Sequence, residues 1–125
     1  MTKKLLDPSP ARAAAYAALY PMLVNIARRH GYALAVHGTV TRDFDLIAVP
    51  WIEEASTPLV LIKAIKKATN TVTTHEEFDH LVKDCAPEKK PHGRIAYALH
   101  LTNHGMYAGY LDISVIPPKH LKNKG

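Results

Sequence analysis

The pattern of apolar and polar positions divides the chain into segments of different character. From Ala11 to His30 the residues are mostly Ala, Leu, Met and Arg, all good helix formers. Ser9 can cap that helix, with Pro10 at its first position. Pro21 lacks an N–H to donate, so it is expected to kink the helix or restart it. Gly31 supplies a C-terminal stop. Short apolar runs follow, Tyr32 to Val36 and Phe44 to Val49. The second is nearly continuous after its acids, which places it at the centre of a sheet.

Thr57-Pro58 repeats the cap-plus-proline signature and opens a second helix, from about Pro58 to Thr69. Its Lys63, Lys66 and Lys67 are spaced to share one exposed side. Thr74-His75-Glu76-Glu77 has the form of a capping box, with a short helix to about Lys83. Ala86 to Gly93 is a loop by composition. Arg94 to Leu101 and Tyr107 to Ile116 read as strands, joined by a hairpin signal at Asn103-His104-Gly105 and ended by Pro117-Pro118. The predicted fold is α/β (α+β), a small mixed or antiparallel sheet of about four strands with helices packed on it. It lacks the alternating crossovers of a dinucleotide-binding fold. There is no internal repeat and no dividing linker, so residues 1–125 form a single domain with a basic tail from about residue 118.

Composition narrows the partners. At 47% hydrophobic residues the chain can bury a core. Its net charge of +5 favours an anionic partner, a nucleotide or nucleic acid, although much of the excess lies at Lys89-Lys90 and in the tail, where solvation alone explains it. The single cysteine, Cys85, excludes an intrachain disulfide and fits a reducing cytoplasmic setting. A catalytic thiol would need an activating base, for which His80 is the near candidate. No run of about 18 apolar residues is present to span a membrane. The start, Met1 to Leu6, imitates a signal peptide, but Asp7-Pro8 and Pro10 interrupt it.

The chemistry concentrates between His37 and Trp51. Gly38-Thr39 follows the first apolar run, and Asp43 and Asp45 open the second. Side chains at i and i+2 of a strand share a face, so these carboxylates would repel unless a cation sits between them. Oxygen-only ligands suit Mg²⁺ or Mn²⁺. A third acid, Asp112, lies between Leu111 and Ile113, where its face alternates with core. A buried Asp there needs a partner, either a metal or a structural Arg or His. Gly38 allows close backbone approach to phosphate, and Thr39 offers a hydroxyl and an N–H. Arg42 could pair with a phosphate or with one of the neighbouring acids. A solvated turn at Asp43 and Asp45, and a purely conformational need for Gly38, are the bland alternatives.

Gly38-Thr39, Asp43-Phe44-Asp45 and the later Asp112 together resemble the polymerase-beta-like nucleotidyltransferases, whose signature is a Gly-Ser or Gly-Gly turn, an Asp-x-Asp or Asp-x-Glu pair and a downstream acid. Val36 to Trp51 with Pro91 to Pro117 is similar to small nucleotidyltransferase-like proteins of bacteriophages and prophages. The resemblance implies transfer of a nucleoside monophosphate from a nucleoside triphosphate to an acceptor, whether protein, nucleic acid or small molecule. It implies Asp43, Asp45 and Asp112 as catalytic metal ligands, and Gly38, Thr39 and Arg42 at the substrate phosphates. Asp112 would also orient the acceptor hydroxyl. Thr39 stands where the family commonly has Ser or Gly, and only four residues separate Gly38 from Asp43, where many active members carry a longer helical segment. That short spacing is the basis of an alternative, the same fold acting without turnover as a binding or regulatory module on a protein or nucleotide. A nucleic-acid accessory domain rests only on basic charge.

The eight histidines are not read as a zinc site: His75 and His80 are five apart and, with one cysteine, no Cys-x-x-Cys spacing exists. Tyr97, Tyr107 and Tyr110 are expected in the core or on the sheet surface. Trp51, just past the second strand, is expected to pack.

Overall fold

The computed structural model describes residues 7–69, 87–101 and 109–122. The first helix, α1 (Pro10–Arg29), starts where its cap predicts: the Ser9 hydroxyl accepts from the Arg12 N–H at 3.2 Å. It is not restarted at Pro21 but runs through it as one helix. Pro21 and Ala17, whose carbonyl loses its N–H partner, are both on the exposed side, where water can take that bond. Tyr16, Leu23, Ile26 and Ala27 form the buried stripe of α1. The second helix, α2 (Pro58–Thr69), is capped by the Thr57 hydroxyl, which accepts from the Val60 N–H at 3.3 Å. Lys63 and Lys67 are exposed on it, whereas Lys66 is half-buried.

Among the described residues the sheet has five strands: β1 (Tyr32–Val36), β2 (Phe44–Pro50), β3 (Glu88–Lys89), β4 (Ile95–His100) and β5 (Tyr110–Val115). A four-residue helix, α3 (Lys119–Lys122), follows. The strand order is β1-β2-β5-β4-β3. β2 and β5 run parallel and the other neighbours antiparallel. The expected sheet is therefore mixed, with one more strand than the pattern suggested. That extra strand, β3, falls in the segment expected to be a loop; its two side chains are exposed and polar, so no hydrophobic alternation marked it. The predicted helix after Thr74, Cys85, His75, His80, Tyr107 and the turn Asn103–Gly105 lie outside the described residues.

Both main helices pack on one face of the sheet, α1 on β1 and β2, α2 on β4. That face carries Phe44, Leu46 and Ala48 of β2, Leu111, Ile113 and Val115 of β5, and Tyr97 and Leu99 of β4, all buried. Leu46 and Ile113 are register partners with no exposed surface. Truncating either to Ala is expected to destabilise by about 2–5 kcal/mol. The intervening residues of β2 and β5, which include Asp45, Ile47, Asp112 and Ser114, point to the opposite face.

Candidate metal centre

The parallel pairing of β2 and β5 sets Asp45 directly beside Asp112: they are register partners on neighbouring strands. Each is flanked by buried apolar residues, so the alternation of a strand turns both carboxylates to the face away from the helices. Asp43 stands two residues before Asp45, just outside the strand, and reaches the same point. One carboxylate oxygen from each of Asp43, Asp45 and Asp112 lies within 4.8 Å of the others. All three residues are half-buried.

The donor set fits a hard divalent cation. Oxygens on one Mg²⁺ at about 2.0–2.1 Å stand at most about 4.2 Å apart, so a small rotation of the side chains closes this set on one ion. A pair of ions about 3.5–4 Å apart accommodates a wider spread. An all-carboxylate set suits hard divalent cations over softer metals.

Gly38 belongs to the same site. It has φ +72°, a left-handed conformation that glycine adopts readily. A Cβ placed on it would stand 2.9 Å from Asp45 Oδ2. The glycine turn thus lies against Asp45 of the acidic cluster. The His37 N–H donates to the Asp45 carbonyl at 2.9 Å, extending the β1–β2 ladder up to the turn. Thr39 lies exposed in the loop. Arg42 is half-buried and contributes a backbone acceptor to the scaffold.

That acceptor leads to a residue the sequence reading missed. The Tyr16 hydroxyl, brought in by α1, donates to the Arg42 carbonyl and accepts from the Tyr110 N–H at 3.3 Å. It ties together the two segments that bear the carboxylates, one 26 residues away and the other 94. Its ring stacks on Phe44, with centroids 5.0 Å apart. Burial raises the Tyr16 pKa; the Tyr110 N–H bond and Arg12 oppose that shift, and the charges of Asp43 and Asp45 add to it. Tyr16 therefore remains a neutral hydrogen-bond donor beside the acids. Arg12, one turn earlier, donates to the Thr41 carbonyl at 2.9 Å, and the Ser9 N–H donates to the same carbonyl at 3.0 Å. No local pattern could have announced these contacts, because each is made across the fold rather than along the chain.

Tyr97 and Tyr110 are buried, as expected. Trp51 is not packed: it is 65% exposed. It follows Pro50, where the β2 ladder gives out, and only its N–H is fixed, donating to the Gly31 carbonyl at 3.1 Å. Comparisons with protein-family models, curated proteins and solved structures give no match to the chain.

Proposed function

We propose that the chain is a metal-dependent nucleotidyltransferase that moves a nucleoside monophosphate from a nucleoside triphosphate to an acceptor hydroxyl, the new oxygen–α-phosphorus bond replacing the one to the departing pyrophosphate. The observation that carries this reading is the convergence of Asp43, Asp45 and Asp112 on one point with the Gly38 turn against them. Asp43, Asp45 and Asp112 would hold Mg²⁺ or Mn²⁺, which when bound supplies positive charge to the triphosphate and polarises the attacking oxygen. Gly38 leaves its backbone open to a phosphate, with no side chain in the way. The exposed Thr39 hydroxyl and N–H offer donors to the same group. Asp112, on a different strand from Asp45, would orient the acceptor hydroxyl and take up its proton. Tyr16 holds the spacing of the acid-bearing segments without entering the reaction.

A second reading, a nucleotide- or protein-binding module without turnover, is favoured by the loop from Thr39 to Arg42. It is short, and the carbonyls of Thr41 and Arg42 are already engaged by α1 and the residue that caps it.

One experiment separates the two. The chain is incubated with an α-labelled triphosphate, Mn²⁺ or Mg²⁺ and candidate acceptors, beside Asp45→Asn. Transfer of label by the unmutated chain and none by Asp45→Asn supports the enzyme. Equal labelling by both removes Asp45 from the mechanism. A rise in melting temperature with nucleotide and metal, but no label on any acceptor, selects the binding module; at a hundredfold excess over the dissociation constant that rise reflects about 2.7 kcal/mol.

A further inference from the structure

The face that carries the acids continues to a hollow at the other end of the same strands. It lies at the C-terminal ends of β2 and β5, has a volume of about 570 Å³, and is walled by Trp51, Ile52, Ile116 and Pro118. Trp51 and Ile52 are 65% and 46% exposed, a large apolar outlay to leave in water. Lys119, His120 and Glu53 also line the hollow. The two-residue period of β2 sets Asp45, Ile47 and Val49 on one face, and Trp51 follows the last residue of that strand. Six residues of strand place Trp51 roughly 20 Å from the acids.

We infer that this hollow binds single-stranded nucleic acid, with a base stacked on Trp51 and its phosphates near Lys119 and His120. An exposed indole accepts any base, because every base has a π-face. Phosphates need cations: Lys119 and His120 line the hollow, in a chain of net charge +5. A strand seated on Trp51 and running along the face would end at the carboxylates. Calling that strand the acceptor rests on the nucleotidyl-transfer reading; its binding does not.

Trp51 is the only tryptophan in the chain, so its fluorescence reports this hollow alone. A ten-nucleotide oligothymidylate is titrated in EDTA, which keeps metal chemistry at the acids out of the measurement. Saturable quenching that weakens as salt rises is expected. By anisotropy of the labelled oligonucleotide, Trp51→Ala should bind about tenfold more weakly. Lys119→Glu should also weaken binding and flatten the salt dependence. The proposal is overturned by absence of quenching, or by equal affinity of Trp51→Ala and the unmutated chain. It is equally overturned if the chain dimerises through Trp51, seen as a doubling of mass that Trp51→Ala abolishes, while the oligonucleotide does not bind. Oligonucleotide binding without any nucleotidyl transfer would overturn the proposed reaction and leave this site standing; transfer without oligonucleotide binding would do the reverse.

Discussion

The hydroxyl of Tyr16 fills the space that a side chain at Gly109 would need: a Cβ there would lie well inside contact distance of it. Gly109 immediately precedes β5, so this close approach lets a helix reach the start of the strand that carries Asp112. Gly109→Ala is expected to destabilise by about 1–3 kcal/mol through overpacking. Tyr16→Phe should cost a similar amount by leaving the Arg42 carbonyl and Tyr110 N–H without their partner. Phe lacks the clashing oxygen, so Gly109→Ala should cost less in the Tyr16→Phe background. Urea unfolding of both single mutants and the double mutant measures the coupling; simple additivity would refute the relationship.

Gly38→Ala tests the turn against the acids. An alanine in the left-handed conformation costs about 1–2 kcal/mol, and its methyl would press on Asp45 Oδ2. Both a lower melting temperature and weaker Mn²⁺ binding are expected. A variant that loses stability but binds Mn²⁺ as before would show that the turn serves the backbone alone.

Asp112→Asn should separate fold from site. Without metal, removing one of three clustered carboxylates relieves repulsion, so the melting temperature in EDTA should hold level or rise. With Mn²⁺ present, the stabilisation that the unmutated chain gains should shrink or vanish. Thermal melts with and without the ion read both effects, and an undiminished Mn²⁺ response would discard Asp112 as a ligand.

The tyrosines predict an alkaline limit. Burial, with a smaller contribution from Tyr97, pushes the Tyr32 pKa up to about 12, and burial also raises those of Tyr16 and Tyr97. The unfolded chain releases these protons near pH 10 and the folded chain later, so the unfolded state binds fewer protons in between. Stability should be flat with respect to these groups below about pH 10 and fall above it, by up to about 1.4 kcal/mol per pH unit for each tyrosine, until the folded pKa is passed. Urea midpoints between pH 8 and 12 check this. Tyr32→Phe should make the decline shallower.

Much of the architecture could be read locally because its signals are local. Ser9-Pro10 and Thr57-Pro58 announced helix starts through hydrogen bonds made within one turn. Phe44 to Val49 announced an interior strand through its nearly continuous apolar run, and β2 indeed has a neighbour on each side. Asp43 and Asp45 could be paired from their spacing. Asp112 could be grouped with them from its similar strand setting and the family resemblance, but the register that sets it beside Asp45 is a property of the closed sheet. Tyr16 carried no mark at all, being one more apolar residue in an alanine-rich helix. Trp51 was misjudged for a related reason: its apolar ring suggested packing, but the helices cover only the other face.

The parallel register of Asp45 and Asp112 also sets when the centre can come into being. Sixty-seven positions separate them (112 − 45), and closing a loop of that length has an entropic penalty on the order of 4 kcal/mol. The central strand must accept its C-terminal neighbour before the third carboxylate arrives. A chain emerging in order from its N-terminus holds Asp43 and Asp45 long before it holds Asp112. An ion held by all three acids would therefore act as a completion signal: its site is whole only once the last strand is in place, and its binding would then resist the loss of that strand.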